Sequence, residues 1–200
     1  MRVALINPTT KRIKATTEPL NLGYIAAYLE KNGVEVRIMD QVAGDNVKRE
    51  IEAYNPDIVG ITATTPTVIE AYRIADMCRR MRILTVMGGI HVSAMPEEAL
   101  GHADIVVVGE GEIAMLDIIK EGITSGIVSR PYIKDLDEIP LPPRYLMKQK
   151  LYLNTASKIK ISMFAFLGPA LSSTKSAFVI TSRGCPFRCI FCHNSLRESP

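Results

Sequence analysis

Five short apolar segments, separated by stretches with helical spacing, constrain this chain more than any other feature. They are RVALIN (2–7), VEVRIMD (34–40), DIVGIT (57–62), RILTVMG (82–88) and DIVVVG (104–109), β-branched and mostly apolar. Runs without polar alternation mark strands buried on both faces, the situation of a parallel sheet. Between them, LNLGYIAAYLEKNG places Leu22, Ile25, Ala26 and Leu29 at i, i+3, i+4 and i+7 and stops at Gly33. PTVIEAYRIADMCRR, led by a proline, repeats the spacing at Ala71, Ile74, Ala75 and Cys78, and EIAMLDIIKEG repeats it at Ile113, Leu116 and Ile119 before Gly122. This alternation predicts an α/β fold: a doubly wound, five-stranded parallel sheet.

Such a sheet binds ligands beyond the carboxyl ends of its strands. Those ends are rich in small and polar residues: Asn7-Pro8-Thr9-Thr10, Thr62-Ala63-Thr64-Thr65, Gly88-Gly89-Ile90-His91 and Gly109-Glu110-Gly111-Glu112. Glycines let a backbone approach a ligand, and threonines offer hydroxyls. The same residues also serve turns and helix caps, so both readings stand at this stage.

The chain has 200 residues, 47% hydrophobic and 22% charged, a globular composition. Its N-terminal apolar run, Val3–Ile6, is too short for a signal peptide, and the apolar stretch 161–171 falls short of the roughly 20 residues of a membrane span. A cytoplasmic protein is therefore expected, in a reducing compartment where clustered thiols bind metal more often than they form disulfides. Charge is unevenly distributed. Residues 1–143 carry 15 Lys and Arg against 20 Asp and Glu, a net of −5; residues 144–200 carry 9 against 1, a net of +8. The basic tail has to face an anionic cluster, an acidic neighbour, solvent or nucleic acid.

Three of the four cysteines fall in RGCPFRCIFCHNS (183–195), at Cys185, Cys189 and Cys192. A cubane iron–sulfur cluster takes one thiolate per iron, so a C-x3-C-x2-C loop leaves one iron open. Gly184 and Pro186 break regular structure around the first thiol. Structural zinc is the competing reading. It would need the adjacent Cys192 and His193 together, an awkward pair for a tetrahedral site that usually draws two ligand pairs from separate segments. Cys78, on the apolar stripe of its helix, reads as a small core residue.

The runs NLGYIAAYLEKNGVEVRIMD, NPDIVGIT, VMGGIHVSAMPEEAL and ADIVVVGEGE, in this order, resemble the cobalamin-binding domain that precedes many radical S-adenosylmethionine (SAM) enzymes. DLDEIPLPPRYL resembles the connector that follows it, and FVITSRG with the three cysteines resembles the opening of the radical SAM core. The resemblance implies a flavodoxin-like, cobalamin-binding sheet over residues 1–125 and a connector over 126–175. Residues 176–200 would then be the first strand and cluster loop of an incomplete (β/α) barrel, since a full barrel takes about 250 residues. The chain would be a fragment or a truncated reading frame.

By the same resemblance, Cys185, Cys189 and Cys192 hold a 4Fe-4S cluster, with Phe191 beside the cluster and the adenine. S-adenosylmethionine chelates the open iron and is cleaved to a 5′-deoxyadenosyl radical. Cobalamin is the implied second cofactor, with Gly88 and Gly89 flanking its nucleotide tail and Thr62 and Thr64 lining the same cleft. The first loop, NPTTKRIKATTEPLNLG, holds no histidine, so cobalt would lack a histidine from it. The implied reaction is methyl transfer to an unactivated centre. The alternatives are a radical oxidative cyclase of the magnesium-porphyrin ester type, and a non-catalytic cobalamin-binding module with a metal-binding tail. A tRNA methylthiotransferase would carry three cysteines in its N-terminal domain, where this chain has only Cys78. The implied partners are a small-molecule substrate and a low-potential electron donor such as ferredoxin or flavodoxin, with no nucleic acid and no membrane span. No catalytic residue is singled out. Three expectations follow: Gly89→Leu should block cobalamin by filling space that the backbone approach needs, the proline-rich DLDEIPLPPRYL should be extended and mobile, and residues 144–200 should hold no stable fold by themselves, their apolar stretch lacking a partner to bury it.

Overall fold

A computed structural model describes residues 1–10, 18–152, 178–185, 187, 189, 190 and 192. The elements run β1 (Arg2–Asn7), α1 (Leu20–Lys31), β2 (Glu35–Asp40), α2 (Val47–Tyr54), β3 (Ile58–Thr62), α3 (Val68–Arg80) and β4 (Leu84–Gly88). They continue with α4 (Ile90–Ala94), α5 (Pro96–Leu100), β5 (Ile105–Val108), α6 (Gly111–Glu121) and β6 (Gly126–Ser129). The strands form one sheet in the order β2-β1-β3-β4-β5-β6, with every pairing parallel.

The doubly wound α/β class is as expected; the count of five strands is corrected to six. The added strand comes from GIVS, which is too short and too poor in apolar residues to show a pattern. It pairs only with β5, residue for residue from Ile105↔Gly126 to Val108↔Ser129. Arg130 fastens it to α6, its Nε 2.7 Å from Asp117 and its Nη2 3.1 Å from Glu121.

Side chains alternate across β1 into two cores. Val3 and Leu5 join Val86, Ile105 and Val107 under α1 and α6. Ala4 and Ile6 join Val59, Ile61, Met87 and Val106 under α2, α3 and the α4–α5 pair. Both faces are covered, which is why these strands read as unbroken apolar runs. At β1 the order reverses: the chain leaves β1 for β2 on one side and returns to β3 on the other. This switch point leaves a crevice at the carboxyl ends.

After β6 the chain turns back across α1. Ile133 and Ile139 pack on Tyr24, and Met147 enters the core under α1. Lys31 donates to the Glu138 carbonyl at 2.9 Å, and the Tyr145 hydroxyl donates to Glu30 at 2.6 Å. Tyr152, wholly buried, donates to the Asp40 carboxylate at the far side of the sheet. Residues 131–152 are therefore a packed strap, not the extended mobile connector expected from their prolines. Prolines exclude regular structure without excluding burial, and Pro142 sits where a Cβ on Gly23 would come within 2.9 Å of it.

Three basic residues of the tail pair with acids of the sheet domain. Arg144 pairs with Glu18 and Lys148 with Asp45. Arg183 pairs with both Glu110 and Glu112. Each acid belongs to the first 143 residues, so these three cations of the tail answer part of the anionic excess of the sheet domain. No helix among the described residues is long and apolar enough to cross a membrane.

Candidate cofactor cleft and cysteine loop

The crevice opens into a cleft of about 440 Å³, within the range of small-ligand sites. Leu5, Gly60, Val86, Val107 and Met115 form its apolar interior. Asn21, Thr62, Ser93, Glu110 and Arg183 place polar groups among its lining residues. Two glycines admit depth. Gly60 leaves room for the Leu5 side chain that packs on it: a Cβ there would come within 2.9 Å of Leu5 Cδ2. A Cβ on Gly88 would meet nothing closer than Val107 at 3.8 Å, so space above that strand end is open.

Gly89 differs. Its φ is +101°, a conformation side chains rarely adopt, and a Cβ would fall 2.7 Å from the Ala63 carbonyl oxygen and 2.9 Å from Thr62 Oγ1. The glycine lets β4 turn tightly against the end of β3. Its first role is to make the crevice, so a bulky residue there disturbs the fold before it meets any ligand.

Thr62 lines the cleft, and its Oγ1 accepts a hydrogen bond from Asn21 Nδ2 at 3.0 Å. Thr64 is exposed and is not among the lining residues; its amide donates to Thr67 Oγ1 at 3.1 Å, closing the turn before α3. Of the four residues expected around the cofactor, Thr62, Gly88 and Gly89 are brought together and Thr64 serves the turn. Neither described histidine lines the cleft. His91 Nδ1 lies 3.1 Å from Thr65 Oγ1, while His102 bonds Asp76 at 3.1 Å and stacks on Tyr72 with ring centroids 4.1 Å apart.

Sequence reasoning placed the β5–α6 corner at the crevice but gave its two acids no role. Gly111 packs so close to α1 that a Cβ would meet Ile25 Cδ1 at 2.7 Å. The flanking acids, Glu110 and Glu112, have side chains only 8% and 4% exposed. Buried carboxylates need partners. Glu110 accepts from the Ile133 amide at 2.7 Å and from Arg183 at 3.3 Å; Glu112 accepts from Arg183 at 2.6 Å. Glu112 also sits in the first turn of α6, where the helix dipole favours an acid. Arg183 lies over the Tyr24 ring, 5.2 Å from its centroid. Burial alone would lower the guanidinium's pKa, but the two carboxylates hold it above its ordinary value. A Gly-Glu-Gly-Glu run after a strand was the available signal.

Residues 178–184 therefore have a partner within the chain, contrary to expectation. Arg144 donates to the Phe178 carbonyl and Tyr24 to that of Ile180, and Ile180, Ser182, Arg183 and Gly184 line the cleft. The cysteine loop starts at this wall. Gly184 takes φ +83°, Cys185 is partly buried, and Cys189 and Cys192 are exposed, joined by a turn from the Cys192 amide to the Cys189 carbonyl at 3.1 Å. The described residues contain no group of three His, Cys, Asp or Glu side chains close enough to hold a metal ion, so the three thiols are present as a donor set but not gathered around one point. Phe191 and His193 lie outside the described residues, as do residues 11–17 of the first loop. Cys78 is fully buried in the α3 core, where burial pushes its thiol up to about 12.

Compared with known proteins, the chain matches the B12 binding domain family over residues 7–119. It is 32% identical to an uncharacterized methyltransferase of Pyrococcus horikoshii, over 98% of this chain and 46% of that protein. It is 35% identical to bacteriochlorophyllide d C-8(2)-methyltransferase of Chlorobaculum tepidum, over 68% of this chain and 28% of that protein. It is 29% identical to the anaerobic magnesium-protoporphyrin IX monomethyl ester cyclase of Rubrivivax gelatinosus, over 96% of this chain and 38% of that protein. Among solved structures it resembles the radical S-adenosylmethionine methyltransferase TsrM from Kitasatospora setae with cobalamin and a [4Fe-4S] cluster bound. The TM-score is 0.51 at 29% identity, covering 60% of this chain and 25% of that one. The chain thus spans less than half the length of these curated relatives.

Proposed function

Because this chain belongs to the B12 binding domain family, we propose that it takes up cobalamin in the cleft above β1, β3 and β4 and forms the front part of a radical SAM enzyme that transfers methyl groups to an unactivated centre of a small molecule. The observation that carries the cofactor reading is the open space at Gly88 above an apolar floor, with Thr62 at the rim. The residues present fit a cofactor's nucleotide tail: an apolar interior takes an aromatic base, and Thr62, Asn21 and Ser93 offer hydrogen bonds to its polar edges. Residues 1–125 would supply most of this cleft, β6 the last strand of its sheet, the residues after β6 the connector, and 176–200 the opening of the catalytic core.

The thiols of Cys185, Cys189 and Cys192 suit a 4Fe-4S cluster by number and type, leaving one iron for S-adenosylmethionine. When bound, the cluster and S-adenosylmethionine would supply the radical and cobalamin the methyl group. The chain's own contribution is positional. Gly60 and Gly88 keep the cleft deep, Gly89 fixes its rim, and Arg183 sets where the cysteine loop begins. A low-potential donor such as ferredoxin or flavodoxin would reduce the cluster. The similarity to the Rubrivivax cyclase, over 96% of this chain, keeps radical oxidative ring closure as a second reading.

Anaerobic reconstitution with iron, sulfide and hydroxocobalamin tests both cofactors. The expected product is a brown protein with stoichiometric cobalamin and sulfide. Zinc in place of sulfide would remove the cluster reading, and absence of cobalamin would remove the cofactor reading.

A further inference from the structure

Residues 180–184 form one wall of the cleft and lead directly into Cys185. Among the described residues, their ion pairs to the sheet domain all come from one side chain. Arg183 bridges Glu110 at 3.3 Å and Glu112 at 2.6 Å and covers the Tyr24 ring at 5.2 Å. Two further hydrogen bonds, from Arg144 and Tyr24, reach the carbonyls of Phe178 and Ile180. Ile180 is exposed, so apolar burial contributes little to holding this wall. The two acids are fixed independently, since both stand at the start of α6 and Glu110 is also bonded to the Ile133 amide.

From this arrangement we infer that Arg183 is a positioning residue that couples the cysteine loop to the cofactor cleft: its fork on Glu110 and Glu112 seats residues 180–184 as the closing wall, so cleft occupancy and loop order strengthen each other. The inference rests on the reading of the cleft as a cobalamin site. Two events are linked through one element. A ligand in the cleft packs against the wall and favours the latched form; anything that orders the loop, including a metal on its thiols, favours the same form. Linkage requires the two effects to be equal. Arginine suits the role because its planar fork reaches two carboxylates at once, which a lysine ammonium does not reproduce.

The test uses the full 200-residue chain, with aquacobalamin as probe. Amide exchange over 178–185 and the release rate of aquacobalamin, followed by absorbance, are compared for wild type, Arg183→Met and Arg183→Lys. Arg183→Met should lose exchange protection in that segment while β1, β3 and β4 keep theirs, and should release aquacobalamin at least about fivefold faster, the lower end of typical site-to-site coupling. Arg183→Lys should fall between. Reversing the pair, with Arg183→Glu and Glu112→Arg together, should recover part of both signals. Should Arg183→Met not fold, the lysine variant and the reversed pair decide the question. Wild-type protection and release in the variants that fold would overturn the inference. A wild type that takes up no aquacobalamin would overturn the cofactor reading and with it the coupling, while the exchange comparison would still separate a seated wall from a loose one.

Discussion

Gly88 and Gly89 are adjacent, yet one added methyl group should have opposite consequences at the two positions. At Gly89, alanine meets two costs. The backbone, at φ 101° and ψ 175°, lies in a region open essentially to glycine, worth about 1–3 kcal/mol. The new methyl would also stand 2.7 and 2.8 Å from the Ala63 oxygen and nitrogen, backbone atoms that cannot swing aside, which adds overpacking of about 1–3 kcal/mol. Gly89→Ala should therefore lose about 2–6 kcal/mol, or roughly 4–24 °C in Tm at the 2–4 °C per kcal/mol typical of a chain this size. At Gly88 the methyl makes ordinary contact at 3.8 Å, so Gly88→Ala should hold its Tm or gain slightly from a less flexible unfolded chain. Gly88→Leu should keep the fold, fill the cleft and abolish cobalamin uptake. Thermal unfolding followed by circular dichroism, with uptake read by absorbance, separates the cases. Equal melting of Gly89→Ala and wild type would refute the assignment of Gly89 to the fold; destabilisation by Gly88→Ala would refute the open space.

Iodoacetamide should leave Cys78 unmodified in the native chain at pH 8, since its thiol is fully buried and raised to about 12, and should label it in urea. Alanine at Cys185, Cys189 or Cys192 should lose most of the reconstituted iron, whereas Cys78→Ala should cost stability and keep the iron. Tyr152→Phe should lose about 1–3 kcal/mol in urea unfolding by leaving a buried Asp40 oxygen without its phenol donor, and a chain ending at 125 should unfold at lower urea than one ending at 152. Burial, with help from neighbouring acids, raises the Tyr54 and Tyr72 hydroxyls to about 12. The unfolded chain gives up these protons near pH 10 and the folded chain holds them, so stability should fall as pH rises from about 10 to 12; Tyr72→Phe should flatten that fall.

The strands could be read because a parallel sheet demands unbroken apolar runs, and α1, α3 and α6 because each keeps its stripe for three turns. Helix α2 has only Val47, Ile51 and Tyr54 buried across two turns, too few repeats to rise above its charged neighbours, although Asn46 accepts from the Arg49 amide as a regular cap. Thr64 was placed in the cleft by resemblance, but β3 ends at Thr62 and the Thr64 hydroxyl bonds Thr67 within the turn. Glu110 and Glu112 could be read only as polar residues of a strand-end loop, since acids are rarely buried unless paired. Their burial depends on a cation more than 70 residues further on, a pairing without local periodicity. The three cysteines declared their donor type through spacing alone, while the place where their loop begins was set by that same distant pair.

The late position of Arg183 gives the cleft a history during synthesis. Most of its lining, from Leu5 to Met115, leaves the ribosome before the wall at 180–184 exists. The 71 residues between Glu112 and Arg183 take roughly 4–14 s to translate at 5–20 residues per second. During those seconds a nascent chain offers an open-sided binding site with two carboxylates awaiting their counterion. A bulky cofactor can enter sideways then, before the latch closes. Loading of this protein in a cell should accordingly depend on cofactor supply while it is being made, and adding cobalamin to the finished chain should be slower than supplying it during translation.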